Sequence, residues 1–184
     1  MTQDYVLLED SVRNTFGSVV WSHKIQEKQA DLYSNQYRWM EIAKIATASL
    51  TSIGIVSLIF TDYMWLKLVS ALISFISVFV SAFFKSFDLK TMTNSHKITA
   101  NKLLVVRNEI KIILLKIKLQ QTGIPELMEE YECLVKELGK IYENAPNTSD
   151  VAVKKARDAL NITQDNNFTD NEINNSLPET LRRG

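Results

Sequence analysis

Proline is absent before Pro125, and glycine occurs before it only at Gly17, Gly54 and Gly123, so little in that span interrupts a helix and very long helices are expected. A lone cysteine, Cys133, excludes an internal disulfide and suits a reducing compartment. Its place beside Leu134 in a helical pattern predicts a small buried hydrophobe. There is no Gly-rich phosphate loop, no Cys or His pair at metal-ligand spacing and no nucleophile elbow, which argues against an enzyme and against a bound cofactor or metal. Charge is missing most sharply from two windows of 17 positions each, IATASLTSIGIVSLIFT at 45–61 and LVSALISFISVFVSAFF at 68–84, separated by DYMWLK.

A helix through either window reaches about 26 Å, slightly short of the roughly 30 Å hydrocarbon layer of a bilayer. Lys44, Lys67 and Lys85 can extend their amines toward water, and Trp39, Tyr63 and Trp65 suit the interface, so the pair reads as a hairpin of two spanning helices. The competing reading is a buried hairpin in a soluble helical bundle. The first twenty residues are acidic early and lack an uninterrupted apolar core, so the first spanning helix is expected to direct insertion itself. Lys28, Arg38 and Lys44 precede the first window, Lys85, Lys90, Lys97 and Lys102 follow the second, and only Lys67 lies between. By the positive-inside rule both termini are expected in the cytoplasm, where the sequons at Asn147, Asn161 and Asn167 carry no meaning.

The expected architecture is all-α: a two-pass transmembrane helical hairpin extended into a cytosolic coiled-coil stalk, with two further short helices. Val12, Phe16, Val19, His23, Gln26, Ala30, Tyr33, Tyr37 and Met40 follow a four, three heptad rhythm. Ser18 after NTFG is expected to cap a long helix, giving a cytosolic helix over about 18–43 and a transmembrane helix over about 44–61. The second long helix is expected to cross the membrane over about 67–84 and continue over 85–121, with Leu103, Val106, Ile110, Ile113 and Ile117 on one face and Leu104, Ile112, Leu115 and Leu119 widening it.

Gly123 suits a left-handed helix end, and Pro125 with Glu126 suits the start of a helix over 125–143, buried through Leu127, Tyr131, Leu134, Leu138 and Ile141. Residues 85–120 hold eight basic and two acidic groups, and 121–145 hold two basic and six acidic, which favours antiparallel packing of these helices. Thr148 or Ser149 is expected to cap a short helix over 149–160, with Ala152, Ala156, Ala159 and Leu160 on one side, and the asparagine-rich segment 161–184 is expected to be disordered.

Thr47, Thr51, Gly54 and Ser57 form a small, polar face on the first spanning helix, and Ser70, Ser74, Ser77 and Ser81 form one on the second. Two readings stay open. Such faces hold helices together in lipid, where no hydrophobic force does so. In a ring of hairpins they could instead line a weakly selective pore. The tetrapeptide SHKI occurs twice and contains both histidines, His23 and His96, each followed by a lysine, Lys24 and Lys97. Each histidine reads either as a polar register-fixing position in a helical seam or as part of a signal-sensing site for protons or an anion.

VVWSHKIQEKQAD, the hairpin, FFKSFDLKTMTNSHKITANKL and YENAPNTSDVAVKKARDAL, in that order, resemble the SLATT domain over about residues 12–160. This is the two-transmembrane effector domain associated with bacterial nucleotide second-messenger synthases and nucleotide-sensing domains. The resemblance implies a SLATT-like domain over 1–160 acting in antiphage defence by abortive infection, as an effector that assembles in the inner membrane and permeabilises it. It implies a homo-oligomer in contact with membrane lipids, and a nucleotidyltransferase or reverse transcriptase system partner with a cyclic oligonucleotide as ligand; direct binding of duplex nucleic acid is not expected. The alternative is a non-conducting, membrane-anchored coiled-coil scaffold that recruits a cytosolic partner.

Overall fold

The computed structural model describes residues 3–60, 63–165 and 168–182, with side chains described outside 57–60 and 84–86. Among the described residues it is all-helical, with no strand: α1 (Gln3–Phe60), α2 (Met64–Ser86), α3 (Leu89–Leu119), α4 (Ile124–Glu143), α5 (Asp150–Asn161), α6 (Asp170–Ser176) and a 3-10 turn over Glu179–Leu181. The chain divides into two compact units, one formed by the residues up to Lys28 together with those from Thr99 onward, the other by Gln29–Ile98. α1 is a single helix contributing to both units, and so is α3.

The first unit is a bundle built on the predicted heptads. Val12 and Val19 of α1, Leu103, Val106, Ile110, Ile113 and Ile117 of α3, and Leu127, Leu134, Leu138 and Ile141 of α4 form one buried cluster. The helices are pinned at the periphery by tyrosines. The Tyr131 hydroxyl lies 2.7 Å from Thr15 Oγ1, Tyr142 lies 3.1 Å from Ser22 Oγ, and Tyr5 donates to the Thr122 carbonyl at 2.9 Å. Lys116 donates to both carboxylate oxygens of Glu130 at 2.7 and 2.8 Å, an ion pair between the basic α3 and the acidic α4. Ser149 caps α5 by accepting from the Ala152 amide, and Ala152, Ala156 and Ala159 are buried.

The second unit contains the apolar hairpin. α1 and α2 are each long and apolar enough to cross a membrane, and none of the apolar window of α1 and only 6% of that of α2 is buried. A core helix of a soluble bundle hides such a window. Here Ile45, Ile53, Leu72, Phe75, Val78 and Phe79 are exposed, an apolar surface far larger than a monomer in water normally shows. Trp39, Tyr63 and Trp65 are exposed at its ends.

Five local expectations need correction. No break occurs at 14–18, because Ser18 Oγ donates to the Asn14 carbonyl inside a continuous α1 instead of capping a new helix. The second long helix is interrupted: Phe87 is extended, and Asp88 begins α3 by accepting from the Thr91 amide at 3.0 Å and hydroxyl at 2.6 Å. Those hydrogen bonds, the Thr91 hydroxyl first, hold the Asp88 carboxyl below its usual range. The left-handed residue after α3 is Gln120 (φ 51°), because the helix already ends at Leu119, and Gly123 (φ −64°) instead precedes α4. Cys133 is exposed, since it sits one residue, a rotation of about 100°, before the buried Leu134. In the segment expected to lack structure, Thr169 and Glu172 form a reciprocal capping box that starts α6.

Candidate functional site

Two places collect the residues that the sequence singles out. In the hairpin, Gly54 of α1 meets Ser70 of α2 so closely that a Cβ on Gly54 would stand 2.7 Å from Ser70 Oγ and 3.3 Å from its Cβ. Ser70 is buried, Thr47, Thr51, Gly54, Ser74 and Ser77 are half-buried, and Ser81 is exposed. The side chain of Ser57 lies outside the described residues. Thr47 donates to the Ala43 carbonyl at 2.9 Å and Thr51 to the Thr47 carbonyl at 2.8 Å, so these hydroxyls bond within their own helix. This is the usual way a threonine loses its polarity in a low-dielectric medium. The Gly54–Ser70 approach is close packing through small residues.

The histidines fall in different units. His96 is 2% exposed, and its ring lies 5.4 Å from that of Tyr33, tilted by 38°. Burial keeps its pKa below the usual 6.5. Lys97 is exposed beside a recess of about 680 Å³ that Tyr37, Asp88 and Lys90 also border.

His23 and Lys24 lie in the other unit, on the face of α1 set by Phe16, Val20, His23 and Glu27, and border a cavity of about 620 Å³. Leu104, Arg107 and Lys111, at helical spacing on α3, form the facing wall, and Leu160, Asp165 and Phe168 close a third side. His23 is 5% exposed; desolvation lowers its pKa, Glu27 opposes that, and Arg107 and Lys24 add to it. Its Nε2 stands 3.7 Å from Glu27, while Lys24 Nζ is 2.9 Å from Glu27, 3.8 Å from Asp165 and 7% exposed. His23 Nδ1 and Arg107 Nε are buried without a hydrogen-bond partner. An unsatisfied buried polar group costs about 1–3 kcal/mol, so each orphan asks for an explanation. Arg107, Lys111 and Asp165 were not singled out by the sequence. Arg107 follows Val106 of the buried stripe, which places it beside the core, but nothing local says that it faces His23.

The model of the SMODS and SLOG-associating 2TM effector domain family 4 matches residues 8–172. The chain belongs to this family. Its two transmembrane helices correspond to the hairpin of α1 and α2, which makes this SLATT family 4 member a membrane effector of conflict systems. The match takes in the bundle, the cavity residues and the start of α6, so both candidate places lie inside the SLATT domain. No curated protein and no solved structure matches the chain.

Proposed function

We propose that this SLATT effector oligomerises in the bacterial inner membrane, with both termini cytoplasmic, and permeabilises it when a nucleotide signal or a system partner is engaged during antiphage defence. The observation that carries this reading is the outward-facing apolar surface of a hairpin whose helices meet closely at Gly54 and the buried Ser70. Lipid would cover the exposed isoleucines and phenylalanines, and the half-buried Ser74 and Ser77 supply a polar face that neighbouring hairpins can share.

Two further features support self-association. Val105, Ile112 and Leu119 form an exposed heptad stripe on α3, with Leu115 beside it, and Met128, Val135 and Tyr142 form another on α4. α1 belongs to both units, so a change in bundle packing at its first part can alter the hairpin through one continuous helix, provided a ligand or partner binds the two packings with different affinity.

The test is dye and ion release from proteoliposomes holding the purified chain, with and without cyclic oligonucleotides or the co-encoded partner. Triggered release, reduced by Ser74→Leu with Ser77→Leu while the oligomer persists, is expected. No release under any trigger, with intact oligomers in the bilayer, would point to a non-conducting scaffold.

A further inference from the structure

The bundle cavity has chemistry that the hairpin does not use. Three basic side chains, Lys24, Arg107 and Lys111, border it against two carboxylates, Glu27 and Asp165. Glu27 is held by Lys24 at 2.9 Å. Asp165 stands farther off, 3.8 Å from Lys24 and 3.7 Å from Lys28, with a side chain about one third exposed, and the Thr163 hydroxyl does most to hold its carboxyl below the usual range. Arg107, whose buried Nε has no partner, borders the cavity with a guanidinium that can only donate, and a volume of about 620 Å³ falls within the roughly 300–1,000 Å³ range of small-molecule sites. Apolar walls come from Phe16 and Phe168.

We propose that this cavity binds a phosphate-bearing ligand with a planar group, whose oxygens accept from Arg107 and Lys111 and displace the Asp165 carboxylate from Lys24 and Lys28. A phosphate brings up to about two negative charges and three acceptor oxygens where a carboxylate brings one charge and two, so it outcompetes Asp165 for Lys24 and Lys28. Asp165 is then a placeholder that neutralises the cavity until ligand arrives. The planar part of the ligand lies between Phe16 and Phe168, where stacking is insensitive to ring identity. As the place where a trigger docks, the site rests on the effector reading above. As a phosphate site it rests on these side chains alone, and its test reads binding without leakage.

The experiment is calorimetric titration of the full chain in detergent micelles with pyrophosphate and with adenosine 5′-monophosphate. Both bind the wild type, and Arg107→Gln weakens both by about tenfold or more, the loss of one charged donor. Lys111→Gln, at an exposed position, weakens both by a smaller factor and tests the same point should the Arg107 variant unfold. Asp165→Asn tightens both severalfold, whereas Asp150→Asn, which removes the same charge from the exposed start of α5, leaves them unchanged. Phe168→Ala weakens the nucleotide but not pyrophosphate. The proposal is overturned if neither probe binds, if Arg107→Gln and Lys111→Gln bind as the wild type does, or if Asp165→Asn and Asp150→Asn behave alike. An equal effect of Phe168→Ala on both probes overturns the assignment of the planar group.

Discussion

Replacing Gly54 by alanine sets two effects against each other. In a helix the substitution gains up to about 1 kcal/mol of propensity. Against this, the new methyl would stand 2.7 Å from Ser70 Oγ, about 0.7 Å inside the 3.4 Å at which ordinary contact begins, and 3.3 Å from Ser70 Cβ. Rotating the hydroxyl relieves the first contact but not the second, and overpacking of this kind costs about 1–3 kcal/mol. The expected outcome is a hairpin destabilised by about 1 kcal/mol, with Gly54→Leu worse because more atoms must be accommodated.

Ser70→Ala alone removes at most one interhelical hydrogen bond, worth about 0.6 kcal/mol, and leaves the close approach intact. The double variant Gly54→Ala with Ser70→Ala removes the nearest offending atom, so it should recover stability relative to the sum of the single changes by about 0.5 kcal/mol or more. Unfolding in dodecyl sulfate and dodecyl maltoside mixed micelles, followed by circular dichroism, measures all four corners of the cycle. Strict additivity, or a Gly54→Ala chain more stable than the wild type, would show that α1 and α2 do not approach at this point.

Other consequences follow for the bundle. Ile110 is fully buried, so Ile110→Ala is expected to cost about 2–5 kcal/mol and to lower the melting temperature sharply, as seen by calorimetry. Burial lowers the pKa of both His23 and His96 below 6.5, so the unfolded chain binds their protons first: the stability they contribute is complete above about pH 6.5 and is lost as pH falls below it. Chemical denaturation from pH 8 to pH 5 should show that decline, with His23→Gln and His96→Gln together flattening it. A glutamate at Ile112 and at Val135, both exposed, is expected to shrink the oligomer in light scattering while leaving the melting temperature within about 0.5 kcal/mol equivalent of the wild type.

Local periodicity made much of this fold legible. The stripe from Val12 through Val19, His23, Gln26 and Ala30 is buried, as is the one from Leu103 to Ile117, because heptad spacing fixes a face whatever the partner. The position of the hairpin was equally plain, since a window without charge is visible without any tertiary information. What periodicity could not supply is the competition at boundaries. The aspartate at 88 begins α3 because its carboxylate finds the Thr91 amide and hydroxyl, a contest that apolar spacing alone does not register. Cys133 was misplaced by a single 100° step, an error that only the phase of Leu134, Leu138 and Ile141 corrects. The cavity was half legible: His23 and Lys24 stood out, whereas Arg107 and Asp165 reach them through non-local packing.

The account depends most directly on α1 and α2 crossing a bilayer. Bacterial membranes carrying the expressed chain, washed in alkaline carbonate without detergent, should retain it entirely in the pellet, and addition of detergent should release it. Release of the chain by carbonate alone, as a folded and monodisperse protein, would contradict the account.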